Sequence, residues 1–390
     1  MSGFLGDLSS EQEKCLAEFR ENLKDVLKPE HHDAFLLRWL RARKFDLAKS
    51  EKMLRDHFEF RVTYDCDNIL TNWKPPEVLT KYMIGGMFGE DRDGHPVWYD
   101  PYGCLDTKGV FYSCTRHDFL KYKILACERI QQDVDKCNEK EARAIETVNV
   151  VFDLQHAGLL HIWRPFIDRY SQVLTAYEAN YPESLRRGIV INAPKMFTVG
   201  FQLIKPFLSE ETKEKVMILG SNYKEKLLEF IHPDQLPVHY GGRATDENGD
   251  PKCSSKICFG GKVPSSFYLN RRSSKCREAM DTCTVLNGKF QDVVCEVIEA
   301  GSHLQWDFET ENENISFGVF LQQNGFTTPK TIIHSMKCDC NTVPERGEII
   351  CAVPGNYMIR FDNSYSWMKS KKVFYSINVV PPAIDHPLPV

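Results

Sequence analysis

Residues 180–220 read NYPESLRRGIVINAPKMFTVGFQLIKPFLSEETKEKVMILG, and this stretch decides the fold. Tyr181-Pro182 is a turn signal, and the apolar run 188–191 follows it. A short apolar run between breakers fits a strand buried on both faces, as in a parallel sheet. Pro194 ends the run, because proline has no N–H to give to a ladder. The spacing then predicts a helix over 196–208, with Phe197, Phe201, Ile204 and Phe207 on one side. Met196, Val199 and Leu203 make the other side apolar, and Leu208 closes the segment. A helix apolar nearly all round must be wrapped by something. Either it lies in the core, or it covers an apolar cargo on one face and meets a membrane on the other.

Working outward, strands and helices alternate. A β-branched strand over 147–152 ends at Asp153 and leads into a helix over 161–180. On that helix Phe166, Tyr170, Val173, Leu174 and Tyr177 recur at intervals of three and four. Upstream lie a helix over 116–137 and a strand over 97–99, which follows the turn Asp93-Gly94-His95-Pro96. Such alternation calls for a parallel or mixed sheet with helices packed on it. Three amphipathic helices precede it, the first with a capping box at Ser10 and Glu13 and the third capped by Asp46. The second carries Arg38, Arg41 and Arg43 between its leucines, and Trp73-Lys74-Pro75-Pro76 is a linker. Beyond Gly241-Gly242 a polar, Gly-rich segment reads as another linker. Short alternating strands follow it at 293–298, 304–308, 315–321, 357–361 and 373–379, an all-β sandwich with jelly-roll-like connections. The expected divisions are a helical domain over 1–73, an α/β domain over 74–245, a linker over 246–260, a sandwich over 261–383 and a tail over 384–390.

Composition bounds the function. The chain has 390 residues, 42% hydrophobic and 26% charged, with a net charge of -5. That is an ordinary globular composition, with no basic excess for nucleic acid. The N-terminus lacks a basic and apolar leader, and no apolar run is long enough to span a bilayer. The fourteen cysteines are therefore expected to be reduced thiols in a cytoplasmic protein that meets membranes peripherally and transiently. No H-E-x-x-H, G-x-S-x-G or phosphate-binding glycine loop occurs, and no cysteine pair has zinc spacing. An enzyme is not indicated, and no cofactor, metal or nucleic-acid partner is expected.

The blocks LLRWLRARKFDLAKSEKML, DRDGHPVWYD, YPESLRRGIVINAPKMF, IKPFLSEETKEKVMILG and LPVHYGG stand in one order over about 35–242. In that order they resemble the CRAL-TRIO lipid-transfer family. The C-terminal FGVFLQ and PGNYMIRFDNSYSWMKSKKVFYSINV are similar to a GOLD domain, a pairing found in tocopherol- and retinal-binding members. The resemblance implies a carrier that holds one lipid molecule in a deep apolar cavity. The helix holding Met196, Phe197, Phe201, Ile204, Phe207 and Leu208 would be its mobile gate. Matched residue by residue, it further implies a phosphatidylinositol head-group set of Arg43, Lys44, Glu183, Thr212 and Lys215. Cations and a hydroxyl suit phosphate, and a carboxylate suits sugar hydroxyls.

By contrast, the strand hydroxyls that hold a choline head group in founding members fall on Val148 and Val150. Two valines cannot supply those hydrogen bonds, which favours an apolar second ligand such as tocopherol, squalene or retinal. Trp98, Tyr99, Tyr102, Phe111, Tyr112, Tyr122, Tyr170, Leu174 and Tyr177 are candidate pocket residues beside those valines. In the sandwich, Trp367-Met368-Lys369 with Lys371 and Lys372 suits an anionic membrane surface or an acidic partner. The competing expectation is a lipid-regulated membrane-trafficking adaptor acting on a protein partner through its GOLD domain.

Overall fold

The computed structural model describes residues 3–141, 145–195, 197–322 and 328–382. Met196 and the expected tail 384–390 lie outside the described residues. Three helices open the chain: α1 (Ser10–Asn22), α2 (Asp33–Ala42) and α3 (Leu47–Thr63). The capping box of α1 is Ser9 with Gln12, one residue earlier than expected, because Ser9 has the extended backbone that a cap requires. Asp46 caps α3 by accepting from the N–H of Lys49 at 3.1 Å. Phe19, Leu23, Leu36, Leu37, Trp39 and Leu54 close a small core between the three helices.

Next come α4 (Ile69–Asn72), α5 (Glu77–Tyr82), β1 (Gly86–Glu90) and β2 (Pro96–Asp100). They are followed by α6 (Thr107–Ser113), α7 (Arg116–Glu141), β3 (Val148–Asp153) and α8 (Arg164–Asn180). The decisive stretch supplies β4 (Leu185–Ile191), α9 (Phe197–Ile204), α10 (Glu210–Glu214) and β5 (Val216–Ile218). The single helix expected over 196–208 is broken. The α-helix stops at Ile204, and Lys205–Phe207 form a 3-10 turn. Pro206 accounts for the break, since its ring and missing N–H cannot continue an α-helix. After α11 (Tyr223–Phe230), the strands run in the order β1-β2-β3-β4-β5. The β1–β2 pair is antiparallel and the rest are parallel, so the sheet is mixed. The short β1 and β5 were not legible as strands in the sequence.

The segment 246–260 is not a loose linker. Cys253 and Ile257 are fully buried in the same core as Val97, Tyr99, Val151 and Ile189, and Cys258 bridges to Gly85. Further on come α12 (Ser274–Glu278), β6 (Asp281–Val285), β7 (Phe290–Val297), β8 (His303–Thr310) and β9 (Ile315–Gln322). The last strands are β10 (Lys330–Cys338), β11 (Glu345–Ile350), β12 (Gly355–Asp362) and β13 (Lys371–Val380). Two four-stranded antiparallel sheets result, β10-β9-β12-β7 and β11-β8-β13-β6. The chain changes sheet at every step except β9 to β10, which is jelly-roll connectivity. Phe308 stacks on Phe317 at 4.8 Å and meets Phe361 edge-on at 5.1 Å, so the two sheets share one aromatic core.

The chain divides into two compact units. One holds 1–61, 81–106 and 126–261; the other holds 62–80, 107–125 and 262–390. The sandwich thus takes α4, α6 and the first part of α7 into its own unit. The Glu345 carboxylate accepts from the N–H groups of Arg116 and His117, both at 3.1 Å, which caps α7 from the side of β11.

Candidate functional site

The two faces of the five-stranded sheet differ. Pairing sets Tyr99, Val151 and Ile189 side by side in one row, and Trp98, Val150 and Gly188 in the next. Successive side chains point to opposite faces, so these rows face opposite ways. The first row is closed: Tyr99, Val151 and Ile189 are at most 1% exposed, packed with Leu227, Ile231 and Tyr240. Tyr99 stacks on Tyr240 at 5.0 Å. It therefore belongs to the core and is removed from the pocket set, since strand alternation cannot send Trp98 and Tyr99 the same way. On the other face Trp98, Val150, Phe152 and Val216 all retain accessible surface, although all are apolar. Val148, further along, is buried. Gly85, at a φ of +112°, fixes the position of Trp98, because a Cβ there would come within 2.7 Å of the indole.

Helix α8 carries Tyr170, Leu174 and Tyr177, which are half-buried. Desolvation is the main cause that pushes the phenols of Tyr170 and Tyr177 well above their ordinary pKa, with Tyr102, Cys127 and Asp100 as neighbours. Tyr102, raised likewise by burial, donates to the His161 carbonyl at 2.9 Å. Desolvation and residual accessible surface thus coincide at the phenols of Tyr170 and Tyr177. Phe111, Tyr112 and Tyr122 fall in the second compact unit, where Tyr112 meets Tyr268 at 5.5 Å.

Helix α9 is the anomaly. Phe197, Phe201, Leu203 and Ile204 are only half-buried, Val199 is 57% exposed, and no described residue of the helix is buried. Phe197 stacks on Phe201 at 5.6 Å. A helix of the core would be buried, so the core reading fails. Nearby, a 3-10 turn presents Leu159 and Leu160 to solvent at 77% and 58%, and Ile162 of the same turn lies against Gly200. Phe207 is also exposed.

The head-group candidates separate into two groups. Glu183 lies in the YPES turn at a φ of +59°, held there while Ser184 donates to the Tyr181 carbonyl at 2.8 Å. A left-handed glutamate costs on the order of 1 kcal/mol. Its carboxylate meets Arg41 at 3.4 Å, and Arg41 also reaches Glu146 at 3.3 Å. Glu183 shares a hydrogen bond with Glu211, which in turn pairs with Lys215. Burial, and then that hydrogen bond, push Glu183 up to about 7. Burial works against the charge of Glu211 as well, but its bonds to Glu183 and Lys215 prevail and hold it below the ordinary range. Thr212 sits one residue on, its hydroxyl accepting from Ser209 at 2.9 Å. Arg43 and Lys44 follow α2, where Lys44 turns left-handed and Arg43 donates to the Ala42 carbonyl at 2.9 Å.

Glu183 and Lys215 are thus brought together. Two residues that the sequence reading missed, Arg41 and Glu211, complete the cluster. Both had a signal: Arg41 belongs to the same basic run, and Glu211 stands four residues before Lys215. Among the described residues there is no group of side chains fit to hold a metal, and no helix long and apolar enough to cross a membrane.

The chain is similar to known proteins. The chain is 28% identical over 355 residues to Protein ctg-1 of Caenorhabditis elegans, covering 89% of this chain and 91% of the relative. It is 30% identical over 356 residues to CRAL-TRIO domain-containing protein T23G5.2 of the same organism. That match takes in 86% of this chain but 48% of the relative, so the chain spans about half of that protein. The solved structure titled Crystal structure of Sfh5 aligns with a TM-score of 0.48 at 15% identity, covering 64% of this chain and 92% of that one, a likeness too weak to fix the fold. Residues 80–242 match the model of the CRAL/TRIO domain, and residues 4–56 that of the CRAL/TRIO N-terminal domain. The α/β unit built around the open sheet face is therefore a CRAL/TRIO domain, preceded by its N-terminal domain.

Proposed function

We propose that this chain is a carrier that encloses one hydrophobic lipid against the open face of its mixed sheet and exchanges it at membranes. The observation that supports this reading best is the pairing of that apolar, incompletely covered face with an apolar helix that has no buried residue. Keeping a chain of about 16 carbons in water costs about 13 kcal/mol, at about 0.8 kcal/mol per CH₂. A carrier must recover most of that by enclosure and still release its cargo. A lid that is apolar on both sides meets both demands, and α9 is our candidate gate. Trp98, Val150, Tyr170, Leu174 and Tyr177 would line the cavity, with an isoprenoid such as tocopherol, squalene or retinal as the apolar cargo.

Phosphatidylinositol is the alternative cargo. Arg43, Lys44, Glu183, Thr212 and Lys215 would hold its head group, and Arg41 would position Glu183. Glu211 pairs with Lys215, so an anionic head group must displace it. A direct test loads the protein with lipid extract and identifies what copurifies, comparing wild type with Val150→Trp, which fills the open face. The carrier reading expects one lipid per wild-type chain and loss of loading in the variant; equal loading would remove the cavity from this face.

A second reading, a lipid-regulated trafficking adaptor with a GOLD domain, draws support from the exposed tip of the sandwich. Deleting 250–390 would not separate the two readings, because it also strips Cys253 and Ile257 from the α/β core. Substitutions at the tip do so without that damage.

A further inference from the structure

One end of the sandwich gathers the loops 286–289, 311–314 and 363–370. Trp367 and Met368 project from the last at 91% and 89% exposure, and Leu286 is exposed on the first. These loops are built, not loose. Asn363 is fully buried, and its amide donates to the carbonyls of Val285 at 3.2 Å, Leu286 at 3.3 Å and Lys369 at 2.9 Å. Asn287 donates to the Trp367 carbonyl at 3.0 Å, and the Gly288 N–H reaches Ser366 at 3.0 Å. The apolar pair is therefore presented on a fixed scaffold, so little ordering entropy opposes its use.

Beside the pair lies a polar cleft of about 650 Å³, lined by Arg271, Glu311, Asn312, Glu313, Asn341, Lys369, Ser370 and Lys371. Its three cations outnumber its two carboxylates, and amides and a hydroxyl fill the gaps. Lys369 pairs with Glu313, and the Lys371 ammonium donates to the Tyr365 hydroxyl at 2.9 Å. Lys289 and Lys372 are exposed on the flanks. Ile298, 84% exposed at the opposite end, gives the contrast, because its neighbours in the chain are the acidic Glu296 and Glu299.

We propose that this end of the sandwich is a membrane-docking tip: Trp367 and Met368 enter the interface while the adjoining cleft receives an anionic lipid head group. A bilayer surface offers both chemistries within a few ångströms, an apolar layer below and charged groups above. Tryptophan favours that boundary, and lysines near an anionic surface add attraction. A projecting pair also suits a deformable surface better than a preformed protein groove.

The test is cosedimentation of the full chain with phosphatidylcholine vesicles, with and without phosphatidylserine. Wild type should partition more strongly to the serine-containing vesicles. Trp367→Ala with Met368→Ala should weaken binding to them about tenfold or more, whereas Ile298→Ala should not. Lys369→Gln should reduce the preference for the anionic vesicles; Arg271 is unsuitable because it holds the carbonyls of Thr310 and Glu311. All the substituted side chains are exposed, so unchanged thermal unfolding verifies the fold. Unchanged binding by the double variant, equal binding to both vesicle types, or no vesicle binding by wild type would each overturn the proposal.

Discussion

The two faces of the CRAL/TRIO sheet are made by the same five strands with similar residues, yet one is sealed and the other is not. Behind the sealed face, α11 buries Leu227 completely, and the segment after Gly242 adds Cys253 and Ile257. On the open side Trp98, Val150, Phe152 and Val216 retain surface, and α9 buries none of its described residues. Composition does not separate these faces; the anchoring of their covers does. A helix with its own buried contacts belongs to the fold. Helix α9, as apolar but with no buried residue, lacks that anchoring.

The contrast can be broken by substitution. Ile189→Ala on the sealed face should cost about 2–5 kcal/mol of unfolding free energy, because the cavity it leaves cannot collapse. Val150→Ala, across the same strands, should cost less than about 1 kcal/mol, since it removes atoms from a surface already open. Denaturant titration of both variants checks this, and equal losses would mean that the faces do not differ.

The proposed head-group cluster sharpens the picture. Lys215→Ala should abolish phosphoinositide transfer between vesicles while leaving apolar-ligand loading intact. Glu211→Gln should strengthen phosphoinositide binding by releasing Lys215. A wild-type rate in the lysine variant would refute the carry-over of this site. For the proposed lid, Val199→Asp should leave unfolding unchanged, because the residue is exposed, but slow lipid exchange severalfold. Stopped-flow transfer of a fluorescent lipid measures that.

The smallest effect expected is on pH. Glu183 is raised, so between the ordinary value of 4.5 and about 7 the folded chain binds the extra proton. Its contribution to stability therefore falls as pH rises through that window. Glu211 is lowered and works in the opposite sense, its contribution being lost as pH falls. Glu183→Gln should flatten the fall between about pH 5 and 7. Unfolding midpoints across that range would reveal it.

The sequence was most legible where period and breakers agreed. The alternation around 147–191 gave a mixed sheet with its helices, and regular strand spacing gave the sandwich. It was least legible where distant partners decide. Nothing in the polar residues after Gly242 announces that Cys253 and Ile257 complete a core formed by strands more than fifty residues upstream. Nor does the pattern of α6 and α7 tell that their residues join the unit of the sandwich, since the carboxylate capping α7 comes from Glu345. The pocket set suffered from a local oversight, because adjacent strand residues such as Trp98 and Tyr99 cannot share a face. The head-group candidates came from the resemblance, while Arg41 and Glu211, despite the basic run and the four-residue spacing to Lys215, joined them only through the packing around the YPES turn.

Native mass spectrometry of the full chain, isolated from its own tissue, tests the central claim most directly. The account predicts the chain plus the mass of one lipid, with an isoprenoid or phosphatidylinositol released on extraction, and an empty chain for Val150→Trp. A wild-type chain that carries no lipid, and takes none up from a lipid extract, would contradict it.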